Sequence, residues 1–198
     1  MKRTIRVFSL LLAAVMLLSA QALAAEPAQA FTDVEQSGQY LCGLPRAESA
    51  QAFTDVSKQD YFYDAVNWAV EKEITSGVSK DAFAPERSCT RADFVTFLWR
   101  AAGKPVVNFA MNFSDVKEDV YYAEAVRWAA SLGIVTGLSK NNFGAANAVT
   151  REQVVTMLWR FAKQQGFDTT QGGMAIREYD DYDSLSEYAR EAMAWAVN

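Results

Sequence analysis

The chain has 198 residues, with 24 acidic and 19 basic side chains, a net charge of −5 and no histidine. That balance lacks the net basic face that non-specific nucleic-acid binding requires. Without histidine the chain also lacks the commonest general base and metal ligand.

Met1-Lys2-Arg3 and Arg6 lead into an uncharged apolar run, Val7 to Leu18, and Ala22-Leu23-Ala24 offers an A-x-A cleavage site. These regions read as a secretory signal peptide over residues 1–24, because the run is shorter than the ~20 apolar residues of a membrane span. Its removal leaves 174 residues and takes away Lys2, Arg3 and Arg6 but no acid, so the net charge falls from −5 to −8. A chain of that length can bury one modest core. Residues 25–49 read as a flexible leader, in which Glu35 to Ser49 has no helical period. Within it Ala28 to Val34 recurs identically as Ala50 to Val56.

Beyond the leader the chain repeats itself every 60 residues. Laid over each other without a gap, residues 53–103 and 113–163 agree at 21 of 51 positions. A repeat of this kind signals modular architecture and a repeated binding surface. Each unit opens on an aromatic-x-Asp-Val sequence, Phe53 to Val56 or Phe113 to Val116, followed by an aromatic pair. A short amphipathic helix comes next, carried by Ala65, Val66, Ala69, Val70 and Ile74, or by Ala125, Val126, Ala129, Ala130 and Ile134. Gly77 and Gly137 are expected to stop these helices. A polar loop follows, with Ser79-Lys80 and Phe83 matched by Ser139-Lys140 and Phe143. The second helix starts at Thr90 or Thr150. It presents Phe94, Val95, Leu98 and Ala101 in one copy, and Val154, Val155, Leu158 and Phe161 in the other. The expected class is all-α. A third unit begins at Tyr179-Asp180-Asp181, with Ala192 to Val197 and Trp195 as its first helix, and residues 179–198 read as an incomplete copy.

These units resemble the S-layer homology modules of bacterial surface proteins. The resemblance rests on Phe53-Thr54-Asp55-Val56, Trp68-Ala69, Ile74-Thr75-Ser76-Gly77, Phe83-Ala84-Pro85 and Thr90-Arg91-Ala92-Asp93. Phe113 to Val116, Trp128-Ala129, Gly133 to Gly137, Phe143 and Thr150-Arg151-Glu152-Gln153 carry it in the second unit. It implies modules at 50–103 and 113–163 in a pseudo-threefold helical bundle with grooves between modules. It also implies non-covalent attachment to anionic, often pyruvate-bearing, secondary cell-wall polysaccharide at the cell surface. With two whole modules, a chain that is marginally stable or self-associates is expected. The alternatives are an envelope protein–protein module and the targeting piece of a surface enzyme.

Thr-x-x-Asp/Gln at Thr90 and Thr150 is close to a capping box, but capping does not account for Arg91 and Arg151. A positive charge in a first helical turn opposes the helix dipole, whereas free helix amides beside a guanidinium fork suit a carboxylate. In the family this arginine contacts the acidic sugar. Arg91 and Arg151 with Thr90 and Thr150 are therefore candidate ligand contacts, and so are Lys80 and Lys140 on the loop before each cap. Asp55 and Asp115 are further candidates, equally well explained by loop bonding. The five tryptophans, at helical spacing, read as core. Cys42 and Cys89 form one candidate disulfide, or Cys89 packs as Val149 does in the second copy. No catalytic residue, cofactor or metal site is expected. No nucleophile elbow, phosphate loop or zinc pattern is present, and Tyr179 to Asp183 lacks the glycine and terminal glutamate of a calcium loop.

Overall fold

The computed structural model of the protein describes residues 53–197. The signal peptide, the leader and Cys42, and with it the Cys42–Cys89 pairing, lie outside the described residues. Five α-helices follow in order: α1 (Tyr63–Glu71), α2 (Arg91–Ala101), α3 (Ala123–Ser131), α4 (Arg151–Gln164) and α5 (Arg190–Ala196). Short 3-10 turns at Met174–Glu178, Tyr182–Ser184 and Glu187–Ala189 link α4 to α5. The described residues contain no strand, only isolated antiparallel bridges between Thr90 and Ala148 and between Ser139 and Asn142. The fold is all-α.

Helix starts follow the sequence closely. Thr90 is extended, its hydroxyl accepts the Asp93 amide, and the Asp93 carboxylate accepts the Thr90 amide. Thr150 and Gln153 form the same reciprocal pair at α4, so two otherwise unpaired amides are satisfied at each start. Helices α1 and α3 have no side-chain cap. They are entered instead from edge-to-face aromatic pairs, Tyr61–Phe62 at 5.1 Å and Tyr121–Tyr122 at 5.0 Å.

Helix ends differ from the expectation at Gly77 and Gly137. Helix α1 ends earlier, where Glu73 takes a left-handed φ of 56°. There the Glu73 amide donates to Val70 O and the Ile74 amide to Ala69 O, a Schellman motif. Gly133 does the same for α3. Gly77 serves close approach: a Cβ there would lie 2.5 Å from Cε1 of Phe53 and 2.6 Å from Ala82 O. The glycine makes room for the ring pair of Phe53 and Phe83, whose centroids are 5.7 Å apart and match Phe113–Phe143 at 5.6 Å.

The main core crosses the module boundary. Ala92, Val95 and Leu98 of α2 pack with Ala125, Val126, Trp128 and Ala129 of α3 and with Leu158 and Phe161 of α4. Val95 and Leu98 are essentially without exposure, and each full burial stabilises by about 1.5–3 kcal/mol. Helix α4 has a second buried face. Its Val155 packs with Ile176, Ala189, Ala192 and Met193, which brings the final segment against the second module. Of the five tryptophans only Trp128 is fully buried. Trp99 and Trp159 are half-buried and donate their indole N–H to Pro105 O and Thr169 O.

Candidate functional site

Each interhelix loop is held by the aspartate that opens its unit. Asp115 accepts the amides of Phe143 at 2.7 Å, Gly144 at 2.8 Å and Ala145 at 3.4 Å. Asp55 accepts those of Phe83 at 2.9 Å and Ala84 at 2.7 Å. The two amides hold the Asp55 carboxyl below its ordinary value. For Asp115 burial acts in the opposite direction, and the amides overcome it. Both side chains therefore organise the loop. Both remain exposed to solvent.

The docked loop then meets the start of α2. The Arg91 amide donates to Asn147 O at 2.9 Å and the Ala92 amide to Ala145 O at 3.1 Å. With the Asp93 amide on Thr90, the first turn of α2 has no free amide to offer an anion. Arg91 is not an open fork either. It is 3% exposed, and Nε donates to Phe143 O at 3.0 Å, Nη1 to Gln153 Oε1 at 3.0 Å and Nη2 to Thr136 O at 2.9 Å. Its guanidinium lies 4.8 Å from the centroid of the Phe143 ring. Burial lowers its pKa, while Tyr188 and Asp115 act to raise it. The first-unit arginine is thus built into the boundary between the two modules.

The second copy differs. Arg151 is exposed at the start of α4. It borders a small apolar recess, about 30 Å³, that Val155, Ile176, Tyr179 and Met193 also line. Thr150 is exposed beside it, as are Lys80 and Lys140 on their loops. The structure brings Arg91 together with the Asp115-held loop and the Gln153 cap, whereas Arg151 faces the segment after Thr170.

Three residues not singled out in the sequence complete the joints. Tyr121 donates its hydroxyl to Asp93 Oδ1 at 2.6 Å, and Arg87 Nη2 reaches Asp93 Oδ2 at 3.0 Å. Tyr188 makes a comparable contact one boundary later, donating to Glu152 Oε2 at 3.2 Å, one residue before the position that matches Asp93. The only sequence sign of this joint was the tyrosine shared by both units at positions 61 and 121. Burial, then the bond to Asp93, pushes the Tyr121 hydroxyl up to about 12. Cys89 is half-buried next to this joint, and burial with the Asp93 charge pushes its thiol up to about 11.

Helix–loop–helix units locked cap to cap define a tandem-repeat protein. Residues 52–95 and 112–155 each match the S-layer homology domain model, and the chain belongs to that family. It is 31% identical over 127 residues to an endoglucanase of Bacillus sp. (strain KSM-635), covering 62% of this chain and 13% of the relative. It is 30% identical over 91 residues to the middle cell wall protein of Brevibacillus brevis, covering 44% of this chain and 9% of that protein. Similarity to the surface layer protein of Brevibacillus choshinensis is also 30% over 91 residues, 44% of this chain and 8% of the relative. The chain thus spans only a small part of each of these relatives. No solved structure matches it. Among the described residues no helix is long and apolar enough to cross a membrane.

Proposed function

We propose that the chain is an exported module that holds itself, or a protein attached to it, on the bacterial cell wall by binding an anionic secondary wall polysaccharide, with a pyruvylated sugar as the acidic group. The observation that carries this reading is a pair of S-layer homology domains with an exposed arginine, Arg151, at a helix start. The contacts assigned to the polymer are Arg151 and Thr150, with Lys140 and Lys80 on the preceding loops. Arg91 contributes charge from beneath the first boundary. A mature charge of −8 repels a polyanion at long range, but beyond a Debye length of about 8 Å that repulsion is screened, so local cations decide the contact. In this reading residues 179–198 begin a third module and the protein resides at the cell surface.

The test is sedimentation with purified sacculi, before and after acid extraction of the secondary polymer. Binding to intact sacculi that disappears on extraction is the expected result. Equal binding to both, or to neither, overturns the reading. Similarity to an endoglucanase supports a second possibility, that the modules serve to target a surface enzyme. In that case wall binding is unchanged and the attached domain does the chemistry.

A further inference from the structure

We infer that Gln153 sets how strongly the boundary between the two modules attracts an anion, because it accepts a hydrogen bond from Arg91 without neutralising it. The inference rests on the wall-anchoring reading and deepens it. Arg91 is 3% exposed, and its three acceptors, Thr136 O, Phe143 O and Gln153 Oε1, are all uncharged. Among the described residues no carboxylate forms an ion pair with it. The carboxylates nearby in the fold are occupied. Asp93 holds Arg87 and Tyr121, Asp115 holds three loop amides, and Glu152 holds the Ser186 amide and the Tyr188 hydroxyl.

A buried cation without a direct ion-pair partner is unfavourable for folding, and here only the Asp115 charge acts on it from beyond contact distance. Residue 153 is the third position of α4, where glutamate caps as well as glutamine. It has the same length and would convert the 3.0 Å contact with Arg91 into an ion pair. Stability alone favours the acid; the amide retains the cap and the contact and leaves the positive charge in place. A guanidinium has five N–H donors, and three serve the bonds described. At 3% exposure the guanidinium is not touched by a ligand, so its charge acts on an anion at the boundary surface from beneath. Gln153 is therefore a specificity-determining residue that acts through Arg91.

The experiment compares the parent with Gln153→Glu and Gln153→Met, by calorimetry and by titration onto purified sacculi. Gln153→Glu is expected to raise the unfolding midpoint and weaken sacculus binding by about tenfold, because the new carboxylate cancels the positive charge that an anion at the boundary senses. Gln153→Met removes the contact but adds no charge. It is expected to lower the midpoint and keep affinity within about threefold. Gln153→Glu binding within twofold of the parent overturns the inference, as does an equal affinity loss in Gln153→Met. A parent that ignores sacculi sinks the anchoring reading. The assignment to Gln153 then stands or falls on the midpoint alone, and a Gln153→Glu midpoint at or below the parent's overturns it.

Discussion

Gly77 and Gly103 both sit in the left-handed region, at φ of 77° and 83°, for different reasons. Around Gly103 an added Cβ meets nothing within 4 Å, whereas at Gly77 it meets the Phe53 ring and Ala82 O. Gly103→Ala is therefore expected to cost about 1–2 kcal/mol for the backbone alone. Gly77→Ala is expected to cost about 3 kcal/mol or more, because the ring pair must also move. Urea unfolding of the two variants checks this, and equal losses would contradict the close-approach role. The sequence pointed to Gly77 but gave it the wrong task. The left-handed residue that ends α1 is Glu73, and no pattern marks a glutamate for that position.

Arginines 91 and 151 occupy one sequence position and two environments. Truncating Arg151 is expected to leave stability within about 0.5 kcal/mol while weakening sacculus binding on the order of tenfold to a hundredfold. Truncating Arg91 leaves Thr136 O, Phe143 O and the Gln153 side chain without their donor. It is expected to cost about 3 kcal/mol, so any binding defect must be judged against folding. Calorimetry and sedimentation on the same two variants separate these effects. The expectation of two equivalent receptor arginines did not anticipate this. Two of the acceptors of Arg91 are main-chain carbonyls 45 and 52 residues away, and backbone acceptors leave no trace in residue identity.

At the scale of the helix and its loop, stability depends on carboxylates held ionised. Asp55 and Asp115 are lowered by loop amides, Asp93 against burial by Tyr121 and Thr90, and Glu152 against burial by Ser186 and Tyr188. A carboxyl lowered on folding contributes stability that is present above its unfolded value. That contribution is lost as pH falls through the folded value. The ordinary values are 3.8 for aspartate and 4.5 for glutamate, so the protein should be indifferent to pH near neutrality and weaken progressively below about pH 4.5. Asp115→Asn is expected to lower stability at pH 7 and to flatten that acid limb. Denaturation at stepped pH measures both. The second-helix starts were the most legible elements, because Thr and the residue three positions on act locally. Thr90→Ala and Thr150→Ala should each cost about 1 kcal/mol.

The helix order and the repeat were readable because they rest on local periodicity. The joint between modules was not, since it brings Tyr121 to Asp93 and Arg91 to Gln153 across 28 and 62 residues. The core is equally shared, with α2 buried against α3. The described units should therefore unfold together, in one calorimetric transition whose enthalpy matches its van't Hoff value. Two resolved transitions would show that the boundary is weaker than its contacts indicate.

Asp93 and Gln153 each close their own helix and also receive a side chain from across the boundary. For protein engineering, this makes the repeat less interchangeable than its period implies. A donor unit spliced in at residue 113 could bring every helix signal and still fail to engage its neighbour, unless it supplied a tyrosine where Tyr121 stands and an acceptor where Gln153 stands. The transplantable part is the half-unit on either side of the boundary, running from one cap to the next, rather than the 60-residue period.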